Sequence, residues 1–242
     1  MPRTSNVTEQ PFENGSTASH MKPTHVARDT YDERQTHILE AATLVMARDG
    51  YQRATMRSVA READVSIAGI YHYFDSKEKL LFVIQFRAFT SLLANLRERI
   101  HGIADPVEQL HLMVRSHVGY FATKIHALKV CSHELDSLTG AEFEEIRELR
   151  LEYYRMVRAI VDRVFGTYAS GSRIDPHVAT MSLFGMLNWL YRWYDPSNDR
   201  SHSNVAHQIT TQFLEGITGE GNGDRINGSS PTETTARAGS QR

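Results

Sequence analysis

The 242-residue sequence contains one cysteine, Cys131, so an intramolecular disulfide is excluded. It also lacks a glycine-rich phosphate loop, a Gly-x-Ser-x-Gly turn and a His-Glu-x-x-His pair, which are short patterns of common enzyme sites. No apolar run approaches the about 20 residues of a membrane span, and the N-terminus has no hydrophobic signal core. We therefore expect a cytoplasmic protein that is not an enzyme.

The 12 histidines could suggest a metal site, but their spacing does not support one. His126, Cys131 and His133 lie near one another in the sequence, as do His111 and His117. None repeats as two ligands four residues apart on one helical face with a carboxylate partner, and there is no second cysteine. A nucleophilic Cys131 paired with His133 would also lack the geometry which that role needs. We predict no metal and no cofactor.

The formal net charge of −2 does not indicate a protein that binds nucleic acid without selectivity. A site-specific DNA-binding protein needs only a local basic surface, because a few side chains make its phosphate contacts. Such a surface could come from a cluster of four arginines: Arg48, Arg53, Arg57 and Arg61. A cluster of this kind is usually only a solvated helix face, so its meaning depends on the elements around it.

The apolar residues recur at helical spacing, and no segment of any length shows the alternation of a strand. We therefore predict an all-α fold of about nine helices. Several helix starts are predicted from capping residues: Thr30 with Glu33, Asp75 with Glu78, Asp105 with Pro106, Thr139 with Glu142, and Asp175 with Pro176. Residues 1–28 and 219–242 are rich in small polar residues and are expected to be disordered tails.

Residues 55–74 are the stretch around which the rest of the chain is organised. Thr55 is a predicted N-cap of a first short helix, Asp64 tolerates a left-handed turn position, and Ser66 caps a second short helix. The apolar positions of the first helix, at i, i+3, i+4 and i+7, are Met56, Val59, Ala60 and Ala63. Two short helices joined this tightly form a helix-turn-helix, whose second helix can enter the DNA major groove. The pattern taken alone is also compatible with plain helix packing.

The flanking residues favour the DNA-binding interpretation. The order of residues is Gly50-Tyr51, Thr55-x-Arg57-x-Val59-Ala60, Val65-Ser66, Ile70-Tyr71-x-Tyr73-Phe74 and Ser76-Lys77-Glu78-x-Leu80. Over residues 32–89 this order resembles the N-terminal domain of the TetR family of transcriptional repressors. Asp64 stands where the family usually has glycine, and the second helix begins without the basic residue that many members carry. The resemblance implies a DNA-binding domain over residues 29–89 and a ligand-binding and dimerisation domain over residues 90–218.

The second helix is expected to present Tyr71, His72 and Tyr73 to the groove or to its edge phosphates. Lys77, at the start of the following helix, is expected to hold a phosphate by its charge and by the helix N-terminus. Ile70 and Phe74 are expected to pack against the first helix of the domain. The predicted DNA-binding residues are Thr55, Arg57, Ser66, Ala68, Gly69, Tyr71, His72, Tyr73 and Lys77.

The segment from Met181 to Trp193 is apolar on nearly every side, which predicts a helix buried all round, between the core and a partner subunit. Its aromatic residues allow two interpretations, interface packing or the wall of a ligand cavity between helices, and both can hold. The predicted ligand-binding residues are Met113, His117, Phe121, Tyr154, Met181, Met186, Asn188, Trp189, Arg192 and Trp193.

A narrower resemblance concerns the C-terminal half. The segment Gly185-Met186-Leu187-Asn188-Trp189-x-Tyr191-x-Trp193-Tyr194-x-Pro196 and the earlier Ser132-x-Glu134-Leu135 carry it. Both are similar to TetR members that respond to acyl-CoA and control fatty-acid or steroid-ring degradation. The resemblance implies an acyl-CoA thioester as effector, and its phosphates would need cations. The candidate cations are Arg97, Arg99, Arg147, Arg150 and Arg192.

Together these observations predict a homodimeric, ligand-responsive transcriptional repressor. It would bind a palindromic double-stranded DNA operator and be released by a small hydrophobic effector such as an acyl-CoA. The alternative is an architectural or ligand-independent DNA-binding protein. A cavity near Trp189 would favour the repressor, whereas a filled core in the C-terminal domain would favour the alternative. No membrane partner is expected.

Overall fold

The structure, a computed structural model, describes residues 25–195, 197 and 201–219, with side chains from residue 32 onward. These residues form nine α-helices and contain no strand, which confirms the all-α prediction. The helices are α1 His25–Asp49, α2 Met56–Glu62, α3 Ile67–Tyr71, α4 Lys77–Ile100, α5 Pro106–Ala122, α6 Ile125–His133, α7 Gly140–Tyr168, α8 Pro176–Asn188 and α9 His202–Thr218. Short 3-10 turns, Leu135–Ser137 and Leu190–Arg192, follow α6 and α8.

The N-terminal head consists of α1, α2, α3 and the first turns of α4 around one apolar core. Ile38 and Val45 of α1, Val59 of α2 and Ile70 of α3 are each fully buried in it. Phe74 follows α3 and is 2% exposed, so the two residues predicted to pack against α1, Ile70 and Phe74, do lie in this core.

Local contacts explain where α2 and α3 begin and how the chain turns between them. The Thr55 hydroxyl accepts the Ser58 N–H at 3.1 Å, and the Ser58 hydroxyl accepts the Thr55 N–H at 2.9 Å. A cap of this kind stabilises a helix by about 1 kcal/mol. Asp64 then takes a positive φ of 49°, which turns the chain between α2 and α3. The Ser66 hydroxyl accepts the Gly69 N–H at 3.0 Å and starts α3, so both predicted caps are confirmed.

The body consists of the second half of α4 with α5, α6, α7, α8 and α9. α5 packs against α9, α7 and α4, and the body core runs along these contacts. By length and composition α4 could also cross a membrane, but 56% of its most apolar window is buried among the other helices, as in a core helix. Three body residues, Val130, Leu138 and Ile146, belong to the head core, so packing is continuous from body to head.

Two predicted capping arrangements are wrong, and the carboxylates concerned have another use. Ser76, not Asp75, caps α4, because its extended backbone brings the hydroxyl to 3.0 Å from the Lys79 N–H. Glu78 instead accepts the Thr139 hydroxyl at 2.8 Å, and Thr139 makes no side-chain cap of its own on α7. Glu142 pairs with Lys79 at 2.8 Å rather than completing a capping box. Both carboxylates therefore join α4 to the start of α7.

Other helix boundaries also differ from the predictions. α1 begins at His25, ahead of the Thr30 capping box and inside the tail predicted for residues 1–28, because residues 25–29 contain no glycine or proline to break it. The remaining parts of the predicted tails, 1–24 and 220–242, lie outside the described residues. α6 ends at His133 and is followed by a 3-10 turn.

The apolar segment from Met181 to Trp193 is not one helix buried all round. α8 ends at Asn188, and the chain then forms a 3-10 turn. Met181, Trp189 and Trp193 are 50%, 55% and 50% exposed in the single chain. The prediction of one helix through Trp193 is therefore wrong. In the single chain these side chains form an exposed apolar surface, and their burial against a partner subunit stays a prediction.

Candidate DNA-binding surface and effector cavity

The α3 helix is anchored on one side and open on the other. Ile70 is fully buried, while Ile67 and Tyr71 are 40% and 50% exposed. Ala68 and His72 are also exposed, and Gly69 and Tyr73 are half-buried. A five-residue helix held by a single buried residue thus presents a short outer edge of small and aromatic side chains.

Ion pairing neutralises one of the four arginines in the basic cluster of the head. Arg48 pairs with Asp49 at 3.0 Å and with Glu62 at 3.1 Å, and this pairing raises the pKa of Arg48 and holds that of Asp49 below its usual value. Arg53 donates to the backbone carbonyl of Asp49 at 2.7 Å. Arg57, on the exposed face of α2, forms no ion pair within the part of the chain that the structure describes. Arg61, also exposed on α2, forms no ion pair in that part of the chain either, so Arg57 and Arg61 carry the most available charges of this cluster.

Lys77 lies at the start of α4, as predicted, but its ammonium group already has partners. Nζ donates to the backbone carbonyl of Tyr51 at 2.8 Å and lies 4.1 Å from the centroid of the Tyr51 ring. An ammonium group has three N–H donors, so these contacts leave donors for a phosphate. They also mean that Lys77 holds the loop after α1 against α4.

The body contains a mainly apolar cavity of about 320 Å³ between five helices. Its walls come from α4, α5, α6, α7 and α8. The lining residues are Phe89, Leu92, His117, Phe121, Leu128, Cys131, Ser132, Arg150, Leu151, Tyr153, Tyr154, Met181, Phe184 and Asn188. Ligand pockets have volumes of about 300–1,000 Å³, so this cavity has room for a small ligand or for part of a larger one.

Arg150 is the one cation on the cavity wall among the described residues. Its guanidinium donates one N–H to the carbonyl of Cys131 at 2.6 Å and lies 5.1 Å from the Phe89 ring centroid. No carboxylate forms an ion pair with it in the described chain, and burial lowers its pKa. Arginine remains charged in proteins, so the cavity wall carries a positive charge that no described ion pair neutralises.

His117 and Tyr153 form a buried polar pair on the same wall. The Tyr153 hydroxyl lies 3.1 Å from Nδ1 of His117, and both side chains are 3% exposed. Burial lowers the pKa of His117 to about 3 and raises the pKa of Tyr153. The imidazole is therefore neutral at physiological pH, and the phenol keeps its proton.

The α6 helix contacts both the cavity and the head. Leu128, Cys131 and Ser132 line the cavity, while Lys129 donates to the carbonyl of Ala47 at the end of α1. Directly after α6, Oε1 of Glu134 accepts the backbone N–H of Tyr51 at 3.2 Å. A displacement of α6 by a ligand would therefore reach the head through direct contacts.

Comparison with known proteins agrees with both parts of this arrangement. Residues 38–84 match the family profile of the bacterial regulatory proteins of the tetR family, and residues 103–217 match that of the tetracyclin repressor-like C-terminal domain. The transcriptional regulator HbdR of Aromatoleum is 33% identical over 162 residues, which cover 67% of this chain and 69% of HbdR. This chain belongs to the TetR family.

Two other relatives bear on the type of regulator. The transcriptional repressor KstR2 of Rhodococcus jostii is 25% identical over 185 residues, which cover 76% of this chain and 91% of KstR2. The crystal structure of AibR in complex with isovaleryl coenzyme A and operator DNA has a TM-score of 0.63 at 26% identity, and covers 76% of this chain and 98% of AibR. The protein is thus a ligand-responsive, DNA-binding TetR-family transcriptional repressor, and its relatives are regulators rather than enzymes.

The structure of this TetR-family regulator brings five of the ten predicted ligand-binding residues to the cavity wall: His117, Phe121, Tyr154, Met181 and Asn188. The other five lie elsewhere. Met113 is fully buried in the body core, and Arg192 lies with its guanidinium 5.7 Å from the Trp189 ring centroid. Met186, Trp189 and Trp193 line a separate surface groove with Ile209 of α9. Met186 lies within α8, so this groove is formed by a different face of α8 from the face that borders the cavity with Met181, Phe184 and Asn188.

Most of the cavity residues that the sequence did not indicate lie on ordinary apolar stripes. Phe89 and Leu92 of α4, for example, are spaced like any buried helix face. Arg150 was one of five candidate cations, and the other four are placed differently. Arg97 pairs with Glu152, and Arg147 with Glu144 and Glu148. Arg99 lines a separate polar depression, and Arg192 is exposed beside Trp189.

Cys131 is a buried thiol on the cavity wall. Burial raises the pKa of this thiol to about 12, which disfavours the reactive thiolate at neutral pH. Within the described residues, no group of three or more His, Cys, Asp and Glu side chains is placed to hold a metal ion.

Proposed function

We propose that this repressor responds to an acyl-CoA thioester whose acyl part occupies the cavity of the body. The observation that carries the proposal is Arg150, a cation without a carboxylate partner on the wall of a mainly apolar cavity. Buried charges are normally paired, so a half-buried guanidinium that forms no ion pair in the described chain, beside a mainly apolar cavity, is suited to an anionic or strongly polar ligand. The relative AibR, crystallised with isovaleryl coenzyme A, supports the same ligand class.

The size of the cavity limits how such a ligand would lie. A volume of about 320 Å³ is near the lower end for ligand sites, so it fits a short or medium acyl chain rather than a whole CoA molecule. The nucleotide part of CoA would therefore extend toward solvent. Arg150 would contact the polar groups next to the acyl chain.

The DNA-binding role is proposed for the exposed edge of the head. Tyr71 and His72 on and after α3 would meet the groove, and Arg57 and Lys77 would contact phosphates, since their charges lie on α2 and at the start of α4. The other predicted contact residues, at the two N-caps and along α3, are Thr55, Ser66, Ala68, Gly69 and Tyr73. Residues 29–89 would bind the operator and residues 90–218 would bind the effector and the second subunit. A protein with this role acts on DNA in the cytoplasm.

The second subunit is proposed to cover the apolar surface formed by Met181, Trp189 and Trp193. Aromatic residues and methionine are enriched in protein interfaces, and half-exposed tryptophans are unusual on a monomer. A two-fold axis through this surface would place two α3 helices on one face of the DNA, about 34–36 Å apart for successive turns or farther for a longer operator.

Effector binding is proposed to act on DNA through α6. A ligand filling the cavity would press on Leu128 and Cys131 of α6, and the helix is fixed to the head through Lys129 and Glu134. A ligand shifts a conformational equilibrium only by its differential affinity for the two states. A coupling of about 1–3 kcal/mol would weaken operator binding by about 5–150-fold.

Isothermal titration calorimetry with the full chain tests the effector proposal. Butyryl-CoA, longer acyl-CoAs, steroid-derived CoA thioesters, free CoA and the free acids are titrated into wild type, Arg150→Gln and Arg147→Gln. Removing a charged hydrogen-bonding partner costs about 1.5–3 kcal/mol, so Arg150→Gln should bind the thioester at least tenfold more weakly. Arg147, on the same helix but in surface ion pairs, is the matched control and should behave as wild type.

The outcomes separate the possible ligands. Binding of thioesters but not of free CoA or free acids supports the proposal. If free acids bind preferentially, Arg150 binds a carboxylate, and the effector is a carboxylic acid rather than a thioester. If no CoA thioester binds or releases operator DNA, the acyl-CoA assignment is wrong, and the family assignment is unaffected.

A further inference from the structure

Two buried side-chain atoms in the described chain have no hydrogen-bond partner, Oε1 of Gln85 and Nε2 of His117. Only the second belongs to a side chain that lines the cavity. Leaving a buried polar atom unpaired costs free energy, and such atoms in native proteins often mark a functional site. His117 thus brings to the cavity wall one polar atom that has no partner, and a molecule that enters the cavity can supply its hydrogen bond.

The contact between His117 and Tyr153 fixes the character of that atom. The Tyr153 hydroxyl is protonated, buried and within hydrogen-bonding distance of Nδ1 of His117 alone among the described residues. It therefore donates to Nδ1, because a buried O–H without an acceptor would be left unpaired. Nδ1 is then the unprotonated nitrogen of the neutral ring, and Nε2 carries the proton.

We infer that Nε2–H of His117 donates a hydrogen bond to an uncharged oxygen atom of the ligand's buried part, and that this contact determines specificity among ligands of similar shape. The inference rests on the proposed function for the ligand class. The inference goes further than the proposed function, because it requires an oxygen atom of the ligand in a cavity whose mainly apolar lining suits hydrocarbon. Tyr153 is a positioning residue, since it acts by fixing the tautomer of His117.

Two positions of the oxygen atom satisfy this chemistry. It is either the carbonyl of the thioester or a keto or hydroxyl oxygen on the acyl chain. A carboxylate is a poorer match, because the neutral imidazole offers one N–H donor and no charge, whereas Arg150 on the same wall offers both. The division of roles is then an uncharged oxygen at His117 and the more polar part of the ligand at Arg150.

Three ligands with equal chain length separate the two positions. S-butyl-CoA is a thioether without a carbonyl in its four-carbon chain, butyryl-CoA has the thioester carbonyl, and 3-oxobutyryl-CoA has one further carbonyl on the chain. Calorimetry compares them on wild type, His117→Leu and His117→Gln. A buried neutral hydrogen bond gives a preference of about tenfold, so wild type should prefer the oxygen-bearing member of one pair by about that factor.

The variants identify the donor. His117→Leu should abolish the tenfold preference, and His117→Gln should restore part of it, because its amide has N–H donors. Tyr153→Phe should reduce the preference, because Nδ1 and Nε2 can then exchange the proton. If butyryl-CoA binds better than S-butyl-CoA and this preference depends on His117, the acceptor is the thioester carbonyl. If 3-oxobutyryl-CoA binds better than butyryl-CoA and this preference depends on His117, the acceptor is the oxygen on the acyl chain.

Two further measurements keep the inference testable without CoA. Pentan-2-one and pentane give the same comparison with no nucleotide, so a His117-dependent preference for the ketone supports the inference even if no thioester binds. Nitrogen-15 NMR of the wild-type histidine side chains shows directly which nitrogen of His117 is protonated, whether or not a variant folds. Protonation at Nδ1 would overturn the inference. It would also be overturned if the preferences of His117→Leu stayed within twofold of those of wild type in both the CoA series and the ketone–alkane pair.

Discussion

Glu134 is the residue whose replacement should separate effector binding from effector response. It follows α6, whose residues Leu128 and Cys131 line the cavity, and it contacts the head twice. Its Oε1 accepts the backbone N–H of Tyr51 at 3.2 Å, and its backbone carbonyl accepts Nε2 of Gln85 at 3.2 Å. The perturbation is Glu134→Ala, which removes the first contact and leaves the second.

The expected magnitude follows from the type of contact that is lost. A hydrogen bond from a backbone N–H to a carboxylate contributes about 1.5–3 kcal/mol when it is well buried. Glu134 is half-buried, so about 1 kcal/mol is a reasonable value for this contact. If that contact transmits the displacement of α6, its loss removes about 1 kcal/mol of coupling, which is about a fivefold change.

The assay is fluorescence anisotropy of a labelled operator duplex, obtained by in vitro selection with the full chain, with and without saturating butyryl-CoA. In Glu134→Ala the effector-induced loss of DNA affinity should be about fivefold smaller than in wild type. Glu144→Ala is the matched control, because Glu144 is an exposed carboxylate that pairs only with Arg147 on its own helix. By reciprocity, operator DNA should weaken effector binding by a correspondingly smaller factor in Glu134→Ala. A coupling ratio within twofold of wild type would refute this role.

Three further predictions concern other parts of the molecule. Lys77→Ala should lower the slope of log K against log salt by about one, whereas Tyr71→Ala should weaken specific DNA binding more than nonspecific binding. An unchanged slope in Lys77→Ala would show that Lys77 contacts Tyr51 and no phosphate. Burial lowers the pKa of His117 to about 3, from about 6.5 in the unfolded chain, so its contribution to stability is complete above about pH 6.5 and is lost as the pH falls toward 3. The unfolding free energy of wild type relative to His117→Gln should therefore fall by up to about 1.4 kcal/mol per pH unit in that range, and a pH-independent difference would contradict the assigned burial. Trp189→Ala should weaken self-association at least about 30-fold in sedimentation experiments while leaving effector binding intact, and the reverse pattern would return Trp189 to the effector site.

Helix formation and the DNA-binding head could be predicted from the sequence, because they depend on local chemistry. The Thr55 and Ser66 hydroxyls each accept the backbone N–H three residues further along the chain, and Gly50 takes its positive φ of 81° where α1 ends. Asp64 occupies a left-handed position for the same local reason. The periodic apolar residues, including Ile70 and Phe74, then determine which side of each helix is buried.

The capping predictions at Asp75 and at Thr139 failed for a reason that local sequence does not contain. Glu78 and Glu142 are suited to a capping box, but each has a partner about 60 residues away in the chain, Thr139 and Lys79 respectively. A carboxylate placed between two helices meets the stronger or better-oriented donor, and only the packing of α4 against α7 decides which donor that is.

The sequence by itself determined that the chain is all-α, where its head helices begin, and which residues could supply a DNA-binding edge. Only the tertiary structure decided which side chains line the cavity, because periodicity distinguishes buried from exposed faces but not a packed face from one that borders a void. Phe89 and Leu92 therefore resembled ordinary core residues, and Arg150 resembled four other arginines. Trp189 and Trp193 lie outside the cavity because they continue the groove face of α8 with Met186, and only the packing of the neighbouring helices decides which apolar face of α8 borders the cavity.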